Sequence, residues 1–324
     1  MQKRFHVRNV SVIYWNDGMR VAVIGGTGHI GTYLIPRLVD AGFETISISR
    51  GIRQPYVESA AWKLVDQILL DRESPRFEPA VSGLRTDAVM DLTCYTPESA
   101  QKLVEALRGR GSRLLHCGTI WVHGMSVEVP TTEDRPRLPI SDYGKRKARI
   151  ESLLLEQREV PVAVIHPGHL VGQGWIPLTP AANFNPRIFR DLAAGREISL
   201  PNLGRETLHH VHAADVAQCF VRALTHWIDA EGRSFHAVSR GAITMAGYAE
   251  TVASWYGQQA RIRFLPWEEW RSNVTEREAE ITWDHIARSP HCSMARAQAL
   301  LGYEPGYTSL EAIQESLFSP LYPG

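Results

Sequence analysis

The stretch Val21-Ala22-Val23-Ile24-Gly25-Gly26-Thr27-Gly28-His29-Ile30-Gly31 sets an apolar run of strand type against three glycines spaced three apart, and a helical pattern follows. Gly25 lets the backbone turn sharply out of the strand. Gly28 leaves room where a pyrophosphate must approach, and Gly31 lets the new helix pack close to the strand. The helix start presents unpaired N–H groups and the positive end of its dipole to phosphate. Strand, glycine turn and helix in that order predict a dinucleotide site on Gly25, Thr27, Gly28, His29, Ile30 and Gly31.

Outward from this turn, strand and helix patterns alternate. Strands are expected at 21–24, 45–49, 68–70, 88–92, 113–117 and 162–166, with helices at 30–41, 97–108 and 143–156. Such alternation predicts an α/β fold, a doubly wound parallel (Rossmann) sheet with helices on both faces. Beyond Pro167 the rhythm breaks at segments rich in Pro, Gly and Asn around 172–186 and 200–206. Helices follow at 214–225, 246–256 and 294–301, with a short strand at 260–264. The division predicted is a dinucleotide domain over 19–170, to which 214–240 returns. A smaller, interleaved α/β substrate lobe comprises 171–213 and 241–324. Residues 1–18 read as a disordered tail or an over-extended start rather than a signal peptide, because their apolar segment is short and broken by Tyr14, Trp15 and Asn16.

Composition excludes several classes. The 324 residues carry 35 basic and 35 acidic side chains, interspersed, so no electrostatic footprint for nucleic acid or membrane stands out. Cys94, Cys117, Cys219 and Cys292 are scattered without metal-like spacing and read as reduced thiols of a cytoplasmic protein. No apolar stretch is long enough to cross a bilayer.

Cofactor choice is read at the end of the second strand. An acidic residue there would hold the ribose 2′-hydroxyl of NAD, whereas arginine accommodates the 2′-phosphate of NADP. The position is Ser49, and Arg50 follows at once, with Arg53 near, so NADP is favoured. Asp71, ending the next strand, is a candidate acceptor for the adenine amino group. The catalytic candidates are Tyr143 and Lys147, whose four-residue offset puts both on one helix face. A phenol titrates near ~10, and a neighbouring ammonium with a cationic nicotinamide ring is expected to lower that value. Tyr143 then exchanges a proton with a substrate hydroxyl, and Lys147 holds the nicotinamide ribose.

From Met19 onward the chain resembles the extended short-chain dehydrogenase/reductases, the NAD-dependent epimerase/dehydratase group. The resemblance rests on the glycine turn, on Tyr143 and Lys147, and on Leu115-His-Cys-Gly-Thr119-Ile-Trp-Val122-His-Gly124, which places the family's Ser/Thr helper on Thr119. It extends to His166-Pro167-Gly168, His212-Ala-Ala-Asp215-Val-Ala217 and Leu301-Gly302-Tyr303-Glu-Pro305. It implies cofactor contacts from Leu92, Thr93 and Pro167, and substrate contacts from Tyr95, Thr119, Asn183 and Arg205. The implied activity is that of an NAD(P)-dependent oxidoreductase or epimerase working on a hydroxyl or ketone carbon of a sugar, sugar nucleotide or related polyol.

Departures accompany the likeness. Cys117-Gly118 replaces the serine pair common before the helper, and Leu208 stands where nucleotide-sugar enzymes carry a diphosphate-holding arginine. Asp91-Leu-Thr93-Cys-Tyr95 resembles atypical branches, some of which bind RNA or serve regulation. The alternative is therefore a non-catalytic dinucleotide sensor or RNA-binding relative. The histidines at 166, 169, 209, 210, 212, 285 and 291 read as hydrogen-bonded core or pocket groups, with no metal expected. Helices 97–108 and 143–156 resemble the pair through which family members dimerise. Leu103, Ala106, Leu107, Ile150, Leu153 and Leu154 supply apolar stripes for a homodimer.

Overall fold

The computed structural model describes residues 18–322; the expectation for the N-terminal tail therefore lies, except for Gly18, outside the described residues. The first half runs β1 (Arg20–Ile24), α1 (His29–Asp40), β2 (Glu44–Ser49), β3 (Asp66–Leu69), α2 (Phe77–Gly83), β4 (Ala88–Asp91), α3 (Pro97–Leu107), β5 (Arg113–Cys117), α4 (Asp142–Glu156) and β6 (Val162–Pro167). There follow β7 (His169–Val171), α5 (Arg187–Ala193), β8 (Glu197–Pro201), β9 (Thr207–Leu208), β10 (His210–His212), α6 (Ala213–Thr225), α7 (Trp227–Ala230) and β11 (Ser234–Ala237). The chain closes with β12 (Ile243–Thr244), α8 (Met245–Trp255), β13 (Arg261–Leu265), α9 (Trp267–Ser272), α10 (Glu276–Ile286), α11 (Ala295–Leu301) and α12 (Ser309–Leu317).

Seven strands form one parallel sheet in the order β11-β6-β5-β4-β1-β2-β3. Chain order reverses between β1 and β4, so the strand ends there open the crevice in which doubly wound sheets bind ligands. The strands are apolar on both faces because helices cover both. One face packs Val21, Val23, Leu34, Leu38 and Phe220 with α1, α6 and α11. The other packs Ala22, Ile24, Leu103, Leu107, Ile150 and Leu154 with α2, α3 and α4. A separate core around Leu200, Tyr248, Val252, Trp270 and Ile313 fills the lobe, where β8 pairs with β13.

Local chemistry explains the boundaries. Thr96 caps α3 ahead of Pro97, Ser141 caps α4, and Thr275 and Thr308 form capping boxes on α10 and α12. The sequence pattern does not show α2, because Pro79 and Gly83 mask it, yet Phe77 and Val81, one turn apart, bury its inner face. Among the described residues no helix is long and apolar enough to cross a membrane.

Candidate active site

The glycine turn has the shape a dinucleotide needs. Gly25 holds φ at +89°, and a Cβ there would meet the Thr93 methyl at 2.5 Å. A Cβ on Gly31 would strike the carbonyls of Gly26 and Gly25. The N-cap Gly28 gives α1 no side-chain cap, so the first-turn N–H groups remain for an external acceptor. These residues fit a dinucleotide pyrophosphate. Leu92 and Thr93 flank Gly25, bringing the end of β4 to the turn. The side chains of His29 and Ile30, by contrast, face inward, leaving only their backbone for a cofactor. His29 packs edge-on against Tyr56 at 4.1 Å, and burial with nearby Arg53 pushes its imidazole down to about 2. At the end of β2, Ser49 Oγ accepts from the Gly51 N–H at 3.2 Å, while Arg50 is exposed and unpaired among the described residues. Asp71 is exposed too, and one of its carboxylate oxygens accepts from the Glu73 N–H at 3.0 Å.

Tyr143, Lys147 and Glu151 lie on one face of α4, one turn apart, and each serves the ends of the central strands. Lys147 Nζ donates to the carbonyls of Cys94 at 2.7 Å and Cys117 at 2.8 Å, joining the chain beyond β4 to the end of β5. It also lies 5.1 Å from the Tyr95 ring centroid. Thr119 Oγ1 accepts from the Trp121 N–H at 3.3 Å, and its hydroxyl lies beside the Tyr143 phenol, which it lowers against the effect of burial. Thus Tyr143, Lys147, Thr119 and Tyr95 converge. The Tyr143 phenol is nevertheless pushed up, not down, from its ordinary value, chiefly by burial. Lys147 spends two of its three donors on the Cys94 and Cys117 carbonyls and is itself lowered by burial, so in the chain alone its ammonium does not bring the phenol down; that lowering is expected of the ammonium and a cationic nicotinamide ring together.

Below this group runs a buried relay of hydrogen bonds. The Thr119 N–H donates to His166 Nδ1 at 2.9 Å, so Nε2 carries the ring hydrogen and donates to Glu151 Oε1 at 3.0 Å. Arg137 grips Glu151 in two bonds, Nε to Oε2 at 2.9 Å and Nη2 to Oε1 at 2.7 Å. A Cβ on Gly118 would meet His166 Nδ1 at 2.5 Å. The departure at Cys117-Gly118 therefore has a reason in the packing: a serine at 118 would displace the imidazole that holds Thr119.

Other expected contacts fall elsewhere. The Asn183 amide is taken up within the lobe by Thr179, Thr282 and the Asn185 N–H. Arg205 is exposed on the loop after β8. Pro167 ends β6, paired with Ala237. His209 bonds Ser239 and Cys292, and His212 caps α6 and meets Glu315. Asp91, Cys94 and His116 could jointly face an ion, but Arg72 already supplies the cation to Asp91 at 2.6 Å. Sequence reading missed Arg288, whose Cζ lies 3.8 Å over the Trp121 ring that meets Tyr143 edge-on at 5.8 Å. Nothing in its local sequence marks it; its burial is a tertiary fact. Of the expected dimer stripe, all but Leu153 is buried in the chain's own core.

Known proteins share this architecture. A UDP-glucose 4-epimerase of Azospirillum brasilense is 27% identical over 254 residues, 64% of this chain and 68% of that one. The chloroplast stem-loop binding protein of 41 kDa b of Arabidopsis thaliana is 26% identical over 315 residues, 92% of this chain and 78% of that one. A Bordetella bronchiseptica enzyme solved in complex with NAD and UDP superposes with a TM-score of 0.69 at 17% identity, covering 94% of each chain. The profile of the NAD dependent epimerase/dehydratase family matches residues 21–236, from the start of β1 into β11. With that profile laid over the glycine turn and the α4 residues alike, the chain belongs to the NAD-dependent epimerase/dehydratase family of extended short-chain dehydrogenase/reductase enzymes.

Proposed function

We propose that this enzyme is an NAD(P)-dependent oxidoreductase or epimerase acting on a hydroxyl or ketone carbon of a sugar nucleotide, with Tyr143 as its proton-transfer group. The observation that carries the reading is the convergence of Tyr143, Thr119 and Lys147 at the ends of the central strands, which reach the glycine turn through Thr93. The similar UDP-glucose 4-epimerase supports the substrate class. The unpaired Arg50 and the absence of an acid at Ser49 support NADP over NAD.

When bound, the nicotinamide supplies hydride exchange and, oxidised, a positive charge. The chain's residues handle the proton. Thr119 orients the substrate oxygen beside the Tyr143 hydroxyl. Because burial raises the Tyr143 phenol, it rests protonated and is poised to donate to a developing alkoxide. The reverse direction needs added positive charge to stabilise phenolate. Lys147 keeps one donor beyond its two carbonyls for the nicotinamide ribose.

Tyr143→Phe tests this. Turnover of UDP-glucose or UDP-galactose should fall ~10²–10⁴-fold, with dinucleotide affinity unchanged by titration calorimetry. Unchanged turnover removes Tyr143 from the mechanism. The stem-loop binding relative supports a second reading, RNA binding; retention of a stem-loop RNA on a filter at physiological salt, with no turnover of sugar nucleotides, would favour it. A cytoplasmic homodimer through α3 and α4 completes the proposal. With their leucines spent on the core, its contacts would come from residues such as Lys102, Glu105, Lys145 and Arg149, which are exposed.

A further inference from the structure

Arg288 follows α10 and is 2% exposed, yet among the described residues Nε, Nη1 and Nη2 all lack hydrogen-bond partners. The carboxylate that reaches it, Asp284, stands 3.9 Å from Nη1 and is itself 41% exposed. Three imidazoles continue the cluster. His285 is 5.0 Å from Trp121, His169 is 4.8 Å from His285, and His210 is 5.7 Å from His169, ring centre to ring centre. Both nitrogens of His169 and Nδ1 of His210 are also buried without partners. Burial pushes His210 down to about 3 and His285 to about 4, so they are neutral near pH 7. Arg288, pushed down by burial to about 10, still carries its charge.

A buried cation whose only support among the described residues is an indole face and one distant, half-exposed carboxylate is costly in a folded chain, and native interiors leave few polar groups unpaired. Six unpartnered nitrogens in one cluster, with a single weakly placed carboxylate, call for an acceptor from outside the chain. The guanidinium fork suits a planar carboxylate or a phosphate. Position narrows the ligand further. Arg288 and Tyr143 both contact the Trp121 indole, so a group held by Arg288 lies near the atoms Tyr143 serves.

We propose that the Arg288 cluster binds an anionic oxygen group, carboxylate or phosphate, carried on the sugar of the substrate beside the reacting carbon. This rests on the sugar-oxidoreductase reading and names the substrate class within it.

Arg288→Met in the full chain tests the proposal twice. In thermal unfolding without ligands, removal of a charge kept for a ligand leaves Tm unchanged or raises it; a fall of more than a few degrees makes Arg288 a structural residue and overturns the idea. Calorimetry on the NADP-loaded protein then compares UDP-glucuronate with UDP-glucose, and glucose 6-phosphate with glucose. The native protein should prefer the anionic member of at least one pair tenfold or more. Arg288→Met should erase that preference while leaving UDP-glucose affinity within twofold. The first pair reports a carboxylate, the second a phosphate. No preference in either pair, or equal weakening of UDP-glucuronate and UDP-glucose, overturns the proposal alone. Failure of every sugar to bind while NADP still binds overturns the sugar reading as well.

Discussion

Replacing Glu151 by Gln cuts the relay that holds Thr119 at its only carboxylate. The glutamate is nearly fully buried and accepts three bonds, two from Arg137 and one from His166. Glutamine keeps the shape but turns one acceptor into a donor, so either Arg137 or His166 loses its partner. Breaking one side of a buried ion pair costs ~3–5 kcal/mol. Arg137 is 23% exposed and keeps bonds to the Glu133 and Arg135 carbonyls and to Ser234, which lowers the expected loss. About 2–3 kcal/mol remains, or a Tm drop of roughly 3–5 °C for a chain of this size. The pH dependence carries the sign. Burial pushes the carboxyl up, but His166 and Arg137 outweigh burial and hold it well below the ordinary carboxylate range. Its contribution is therefore full above the unfolded value of ~4.3 and is lost as pH falls toward the folded one. The gap between native and variant should be complete at pH 7 and narrow by about 1.4 kcal/mol for each unit below the unfolded value of ~4.3. Urea unfolding at pH 7 and pH 3.5 measures both. Equal stability at pH 7, or a gap undiminished in acid, would refute the reasoning.

Other expected outcomes concern the same crevice. Lys147→Met should strand the Cys94 and Cys117 carbonyls and lower stability by about 2–4 kcal/mol, besides abolishing turnover; an unchanged urea midpoint would show that the two carbonyls do not need the ammonium. NADP should bind more tightly than NAD, and Arg50→Ala should erase the difference; calorimetry showing a clear NAD preference in the native protein overturns that reading. Light scattering at micromolar concentration should give the dimer mass, and a monomer mass would reject assembly through α3 and α4.

Much of the sheet was legible before folding, because its signals are local. Val21 to Ile24 must be strand, and Gly25, Gly28 and Gly31 are needed where side chains would collide with backbone or with Thr93. The offset of Tyr143 and Lys147 is likewise a property of any helix. The helix Phe77–Gly83 was not legible, since Pro79 and Gly83 speak against helix and only the burial of Phe77 and Val81 outweighs them.

What a residue does with its charge was beyond the sequence. Spacing placed Lys147 beside Tyr143, but the carbonyls that claim its ammonium belong to residues 30 and 53 positions away. The departure at Gly118 has no reason in the sequence, and only packing sets His166 against it. Arg205 and Arg288 are the same letter, and only the fold leaves one in water and buries the other over Trp121. The sequence alone determined the first six strands of the sheet, the glycine turn and the side-chain chemistry on α4, because these depend on neighbours a few residues apart; β11 and most strands of the lobe it did not. Tertiary structure decided protonation, pairing and which cation stays unpaired, because desolvation and hydrogen bonding depend on groups brought together from distant parts of the chain.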